Sequence, residues 1–206
     1  SKQLPYILSE LSSFSISYKD FLYFFIKKKT VALCSNYAWT IFNFRMPLIR
    51  SLTGSGFRVV VITQFDGYEK KIANEVNEIY PLYMSRKGIN PFVDIITLFD
   101  LFIKLTYIKP DYLLLFTIKP VIYGSIVARI NNIPHIVMIT GLGTTFILRN
   151  WITNVVKSLY RFSLKKASVV FFQNTDDKEL FTSNNLVDSK VCKLTPGSGI
   201  ELDKFK

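Results

Sequence analysis

The stretch from Asp111 to Phe146 constrains the fold of this chain more than any other part of its sequence. Two continuous apolar runs, DYLLLF and HIVMIT, lie on either side of a helix-length segment, IKPVIYGSIVARI. Apolar runs without alternation are typical of strands that a parallel sheet buries on both faces. We therefore predict a βαβ unit, whose polar turns at 117–123 and 140–145 follow the carboxyl ends of the strands, where open parallel sheets bind ligands.

The rest of the chain from Thr30 onward continues this alternation of strand and helix. Further strands are predicted at 31–35, 58–63, 78–83, 168–173 and 191–195, and further helices at 43–53, from Pro91 onward, at 151–166 and from an N-cap at Thr175. Residues 36–42 are predicted to form a loop. Strands separated by helices favour a single α/β domain, with a parallel sheet and helices on both faces.

The helix that begins at Pro91 is unusually apolar. Its polar residues form one narrow stripe at helical spacing: Asp94, Thr97, Asp100 and Lys104. We therefore expect the sheet and a neighbouring helix to cover most of its circumference.

Charge and composition limit the possible functions. The 206 residues include 26 Lys and Arg but only 15 Asp and Glu, a net charge of +11, which favours an acidic partner such as anionic lipid or a phosphorylated ligand. The single histidine, His135, leaves neither a metal-ligand cluster nor a catalytic triad, so we expect no metal. The two cysteines are far apart, which favours buried free thiols in the cytosol.

Residues 1–29 differ from the rest and are predicted to be an N-terminal extension. A strongly aromatic run, 18–26, precedes the lysine cluster 27–29, which is typical of an interfacial membrane anchor. The alternative is a terminal helix that packs on the domain and leaves its lysine end in water. No apolar segment reaches the ~18 uncharged residues of a membrane span.

Glycine pairs give a weak signal for phosphate binding. Of the three G-x-G pairs in the sequence, only Gly141 and Gly143 both follow a predicted strand and enter a helical region, as a phosphate-cradling loop requires. None of the pairs continues to the third glycine of a dinucleotide-binding motif.

Six ordered blocks carry a family resemblance: CSNYAWTIFNFRMPLIRSL, SRKGINP, TIKPVIYGSIVAR, TGLGTTF, FFQNTDDKELF and PGSGIELDKF. Together they resemble the N-terminal half of a GT-B glycosyltransferase of the family 4 type. The likeness is greatest to the bacterial branch that extends capsule or O-antigen (lipopolysaccharide) glycans on a polyprenyl diphosphate lipid.

The resemblance implies a Rossmann-like acceptor-binding domain at 30–195 and, at 196–206, the start of a linker to a C-terminal domain that binds the nucleotide sugar. The implied enzyme transfers a hexosyl or N-acetylhexosaminyl group with retention of configuration. It needs no cofactor, and the fragment alone is expected to be inactive. Relatives often carry a histidine where this chain has Thr140, so no general base is named.

The resemblance also places acceptor contacts at the ends of the strands. After the first strand these are Asn36, Trp39, Asn43 and Arg45; Lys87 lies in the loop SRKGIN. Trp39 stacks on a sugar ring or belongs to the core, and Arg45 binds phosphate or is a solvated helix arginine. In our hypothesis Lys119 holds the acceptor diphosphate, helped by Tyr123 and by the amides of Gly141 to Gly143, and Thr140 is a further acceptor contact.

The predicted partners are a lipid-linked saccharide, a nucleotide sugar and an anionic membrane surface, with no nucleic acid. Lys157, Arg161 and Lys165 recur every four residues on an amphipathic helix and are predicted to face the membrane. The protein is then cytoplasmic and peripherally bound to the inner face of the cell membrane. The alternative is a non-catalytic α/β module that binds a membrane or a protein partner.

Overall fold

The computed structural model of the chain describes residues 28–85, 91–141 and 151–197, with only the backbone for 151–152. Seven strands form one sheet: β1 Thr30–Tyr37, β2 Arg58–Gln64, β3 Glu78–Pro81, β4 Tyr112–Phe116, β5 His135–Ile139, β6 Val169–Phe172 and β7 Cys192–Leu194. The α-helices are α1 Ala38–Phe44, α2 Met46–Gly54, α3 Glu69–Ala73, α4 Pro91–Ile108, α5 Ile118–Ile130, α6 Trp151–Ser163 and α7 Thr175–Ser183. Short 3₁₀ turns follow α6 at Leu164–Lys166 and precede β7 at Ser189–Val191.

The strand order is β3-β2-β1-β4-β5-β6-β7, and every neighbouring pair is parallel. From β1 the chain winds outward in one direction to β3, crosses back to β4, and winds outward in the other direction to β7. Because parallel crossovers are right-handed, this reversal puts α1–α3 on one face and α4–α7 on the other. The predicted parallel sheet with helices on both faces is confirmed.

Two apolar cores, one on each face of the sheet, follow from the two-residue period of the strands. Along β1, Ala32 and Cys34 join the core under α4–α7, whereas Val31 and Leu33 join the core under α1–α3. All four side chains are buried. The central strands are therefore buried on both faces, as their continuous apolar sequence predicted.

Three local features differ from the prediction. Most of the predicted loop 36–42 belongs to α1, because the Asp66 carboxylate accepts the free N–H of Trp39 in the first helical turn, at 3.1 Å. This tertiary partner lies 27 positions away and leaves no local pattern. Helix α3 was not predicted. The N-cap of α7 is Asn174 instead of Thr175, since its side chain accepts the Asp177 N–H.

Helix α4 turns part of its polar stripe inward, whereas the polar side of a surface helix usually faces water. Asp94 and Thr97 of the polar stripe are buried, and several large apolar residues of the same helix are exposed. The expectation that most of the circumference would be covered is wrong. The polar positions face inward because the Asp94 carboxylate pairs with the Lys119 ammonium inside the protein.

Other expectations concern residues whose place is now clear. His135 is buried at the start of β5, and burial lowers its pKa, which fits a structural histidine. Cys34 and Cys192 are free and buried. Among the described residues no helix is both long and apolar enough to span a bilayer. The N-terminal extension before Lys28, the loop residue Lys87, Gly143 and the segment 198–206 lie outside the described residues.

Gly124 is required where α5 crosses β4. An added Cβ would lie well inside van der Waals contact with the Leu115 Cδ2 atom and 3.3 Å from Cδ1, and Leu115 is itself fully buried. We expect Gly124→Ala to lower the free energy of unfolding by about 1–3 kcal/mol, the cost of overpacking a core.

Gly54, the last residue of α2, is the matched control, because its added Cβ meets nothing within 4 Å. Gly54→Ala should be neutral or should stabilise the protein by up to about 1 kcal/mol. Urea denaturation measures both variants. Equal effects of the two substitutions would contradict the close packing of α5 on β4.

Candidate functional site

The reversal of strand order lies between β1 and β4, and their carboxyl ends form the candidate site. Open parallel sheets bind ligands at this position because the flanking loops diverge to opposite faces. A direct contact joins the two ends: the Asn36 N–H donates to the Thr117 hydroxyl at 3.2 Å. Asn36 and Thr117 are therefore held side by side at the floor of the site.

Thr117 has a strained backbone. Its φ of 68° lies in the left-handed region, which residues other than glycine rarely adopt, and its hydroxyl donates to the carbonyl of Phe116. Such strain persists only where the surroundings enforce it, and it is frequent at ligand sites. The turn also aims the N-terminus of α5 at the edge of the sheet.

Arg45, between α1 and α2, is a buried cation at the same edge. Only 5% of the residue is exposed, and its guanidinium carbon lies 4.4 Å from the centre of the Phe116 ring. The guanidinium donates to the Phe44 carbonyl at 3.2 Å, and no carboxylate within 28–85, 91–141 or 151–197 forms an ion pair with it. Burial lowers its pKa to about 10. The alternative of a solvated helix arginine is wrong.

Lys119 has a partner that the sequence analysis missed. Its ammonium lies 2.7 Å from the Asp94 carboxylate, and both side chains are mostly buried. The Tyr123 hydroxyl also donates to Asp94, and its pKa is raised by burial and then by the Asp94 charge. Asp94 therefore connects the first turns of α4 and α5 beside the end of β4.

Trp39 and Asn43 lie on α1 above the end of β1. Trp39 is 45% exposed and its indole ring packs edge-on against Phe44, so the alternative that Trp39 belongs to the core is wrong. The Asn43 side-chain amide donates to the carbonyl of Trp39 at 2.9 Å. Helix α1 thus presents an exposed aromatic ring next to the site.

The end of β5 contributes Thr140 and Gly141, which are both partly exposed. Gly141 has a φ of 126°, which only glycine adopts without strain. Thr140 and Gly141 therefore lie at the end of β5, which pairs with β4.

The basic residues of α6 are placed differently. Lys157 donates to the Asn184 side chain at 2.8 Å, and Arg161 donates to the backbone carbonyls of Asn184 and Asn185. These carbonyls end α7, where cations are favourable. Lys157 and Arg161 thus hold α7 against α6, whereas Lys165 is exposed. That all three face a membrane stays a prediction.

The structure brings Asn36, Arg45 and Lys119 to the ends of two adjacent strands, and Tyr123 joins Lys119 through Asp94. Asp94 and Thr117 were not predicted as site residues. A single acid in the first turn of an otherwise apolar helix was a usable signal for Asp94. The strained backbone of Thr117 could not be predicted from the sequence. No cluster of metal ligands occurs in the described part of the chain.

Comparisons with known proteins agree with this architecture. A family model described as "Glycosyl transferase 4-like" matches residues 30–174. The N,N'-diacetylbacillosaminyl-diphospho-undecaprenol alpha-1,3-N-acetylgalactosaminyltransferase of Campylobacter jejuni is 29% identical over 180 residues, which cover 85% of this chain and 48% of that protein.

Two solved structures share the fold. A glycosyltransferase from Rickettsia africae has a TM-score of 0.61 and 16% identity, over 87% of this chain and 45% of that one. Anabaena HepE, solved with UDP and glucose, has a TM-score of 0.59 and 13% identity, over 84% and 45%. This chain therefore spans about half the length of these relatives. The resemblance to the family 4 type and the Rossmann-like fold that it implied are confirmed.

The ion pair between Lys119 and Asp94 can be tested as a structural element. Lys119→Met leaves a buried carboxylate without its cation, so we expect the free energy of unfolding to fall by about 2 kcal/mol or more. The double variant with Asp94→Asn should lose less than the sum of the two single variants, because the unpaired charge is gone.

The control is the more exposed pair of Arg50 and Glu75, whose side chains are 48% and 32% exposed. Arg50→Met should cost less than about 1 kcal/mol. Denaturant titrations of all variants give the comparison. Strict additivity of the Lys119 and Asp94 effects would show that the two groups do not interact.

Proposed function

The chain belongs to the glycosyl transferase 4-like family, and from this premise we propose that it is the acceptor-binding half of a glycosyltransferase. The proposed reaction moves a sugar from a nucleotide-sugar donor to a saccharide on a polyprenyl diphosphate lipid, in the synthesis of a bacterial surface polysaccharide. Family membership favours this enzyme over the alternative of a non-catalytic binding module.

The proposed substrates rest on the relatives. The Campylobacter protein is named for an acceptor on diphospho-undecaprenol and for transfer of N-acetylgalactosamine. HepE was solved with UDP and glucose, a nucleotide and a sugar. We extend to this chain the chemical class of each substrate: a lipid-linked diphosphate saccharide as acceptor and a nucleotide sugar as donor.

Arg45 is the observation that carries the site assignment. A guanidinium that is 5% exposed and has no carboxylate partner among the described residues keeps an uncompensated positive charge at the ligand edge. Burial of such a charge is unfavourable unless an anion neutralises it. A phosphate group of the acceptor fits this role, because guanidinium donors match phosphate oxygens in geometry as well as charge.

Lys119 acts from the other side of the end of β4. Its charge is already balanced by Asp94, so it contributes less net charge than the sequence analysis assumed. The ammonium keeps further donors beyond the Asp94 bond, and the free amides at the start of α5 also favour phosphate oxygens. In this proposal Asp94 and Tyr123 position the lysine, and Lys119, Asn36 and Thr140 line the place where the diphosphate and first sugar lie.

Further parts of the proposal rest on the resemblance alone. A second domain that follows the linker 196–206 binds the donor, no cofactor is needed, and transfer retains the anomeric configuration. The enzyme works at the inner face of the cell membrane as a peripheral cytoplasmic protein. A screen of nucleotide sugars with a polyprenyl diphosphate saccharide and the longest product of the gene tests the reaction. Absence of transfer to any such acceptor would refute it.

The role of Arg45 is testable in that enzyme. Arg45→Met keeps most of the side-chain volume but removes the charge, so the acceptor KM should rise about tenfold or more, the loss of one charge-assisted hydrogen bond. The donor KM should be unchanged. Arg58→Met is the control, since Arg58 lies at the opposite edge of the sheet and pairs with Glu78. An unchanged acceptor KM in the Arg45 variant removes it from the site.

The division of substrates between domains predicts the behaviour of residues 1–206 alone. Calorimetry should detect no binding of nucleotide sugars tighter than ~1 mM, equivalent to about 4 kcal/mol. A micromolar donor site in this fragment would contradict the assignment of the donor to another domain.

A further inference from the structure

The outward side of α4 carries a row of large apolar side chains that we name the outer stripe. Its residues are 48% to 76% exposed: Ile95, Ile96, Phe99, Ile103 and Tyr107. Ile95 and Ile96 are adjacent, and the others follow at intervals of three or four positions, so all five lie along one side of the helix. Single exposed apolar residues are ordinary on protein surfaces, but a contiguous row marks an interaction site.

The inward side of the same helix is also largely apolar. Leu101 and Leu105 pack in the core, and the polar residues Asp94 and Thr97 are buried with them. A surface helix normally turns its apolar side inward and its polar side to water. In α4 both sides are apolar, so packing among the described residues accounts for only one of them.

The shape of the stripe favours a flat apolar phase as its partner. From Ile95 to Tyr107 the stripe is about 18 Å long, at 1.5 Å per residue. It lies on the outside of a helix, which is a convex ridge. A ridge cannot surround a single hydrocarbon chain, as a groove would, but it can lie along the interface of a bilayer with its apolar side inserted.

Charged residues nearby match an anionic surface. Exposed cations lie at the amino-terminal edge of the sheet, where β1 begins and where α4, α5 and α6 end: Lys28, Lys109, Arg129, Lys165 and Lys166. No ion pair in the described part of the chain includes any of them. Asp111, at the same edge, is used by the fold, because it accepts the Thr30 N–H at 2.7 Å. Each such cation strengthens binding to acidic lipid head groups.

We infer that the outer stripe is the surface by which this protein binds the anionic bilayer. The inference assigns this contact to α4, whereas the sequence alone indicated the basic residues of α6 and the N-terminal extension 1–29. The inference deepens the proposed function. The contact with the bilayer is argued from α4 itself, and only the purpose of that contact rests on the proposed function. The stripe and Asp94 lie on opposite sides of one helix, so a bilayer on the stripe is about one helix diameter, ~10 Å, from the site of the lipid-linked acceptor.

Sedimentation with vesicles tests the inference. The chain should bind vesicles of phosphatidylcholine and phosphatidylglycerol in equal parts, and should bind pure phosphatidylcholine vesicles more weakly. Replacement of Ile96, Phe99 and Ile103 by Gln should weaken binding to the mixed vesicles by roughly tenfold or more. Leu48 is an exposed apolar residue of α2, on the other face of the sheet, and its replacement by Gln is the control that should leave binding unchanged.

Unchanged vesicle binding by the stripe variant would overturn the inference. So would a stripe variant that loses only self-association, since the stripe would then bind a second copy of the chain. Melting curves show whether the variants fold.

A labelled variant gives an answer even if the triple variant does not fold. Ile103→Cys places one reactive thiol on the stripe, because the native Cys34 and Cys192 are buried. A nitrobenzoxadiazole label at this position should become more fluorescent on mixed vesicles, whereas a label at Leu48→Cys should not. No change at Ile103→Cys would also overturn the inference.

Vesicle binding and glycosylation, measured together, distinguish failure of this inference from failure of the proposed function. If stripe-dependent vesicle binding occurs but no acceptor is ever glycosylated, the membrane surface stands and the enzymatic proposal falls. If the stripe variant glycosylates a water-soluble acceptor analogue normally but not one in vesicles, both stand.

Discussion

The parallel pairing of β1 with β4 is the constraint on which the rest of the structure depends. The strand order reverses at this pair, so the chain leaves the end of β1 toward one face and the end of β4 toward the other. Arg45 and Trp39 come from the first path, and Lys119 and Tyr123 come from the second. The contact between Asn36 and Thr117 keeps the two paths in register. Without this reversal the same residues would lie on separate parts of the surface.

Electrostatics distinguishes the two basic groups at this edge. The ammonium of Lys119 is balanced by Asp94 at 2.7 Å, whereas the guanidinium of Arg45 stacks on Phe116 with no carboxylate partner among the described residues. A buried cation without a counterion destabilises the empty protein, and an anionic ligand would remove that cost. In the proposed function Arg45 therefore binds an anion of the ligand, while the ion pair of Lys119 with Asp94 joins α5 to α4.

The sequence predicted the arrangement of strands and helices, but it did not predict which distant residues contact one another. Long apolar runs predicted the central strands because burial on both faces leaves no polar position in them. The same apolar runs located the carboxyl ends of the strands. They therefore correctly placed four residues near those ends: Asn36, Arg45, Lys119 and Gly141. Three outcomes depended on contacts between distant residues: the start of α1 on Asp66, the capture of Lys119 by Asp94, and the bonding of Arg161 to α7. The inverted orientation of α4 likewise depended on where Asp94 finds a cation.

In the proposed function the edge formed by β1 and β4 holds the diphosphate of the acceptor. Nuclear magnetic resonance of the chain, titrated with a short-chain polyprenyl diphosphate saccharide, tests it most directly. The account predicts that the Arg45 side-chain signal and the backbone amides of Thr117, Lys119 and Gly141 shift together and saturate with one affinity. Shifts confined to the opposite edge, around Lys109, Arg129 and Lys165, would contradict it.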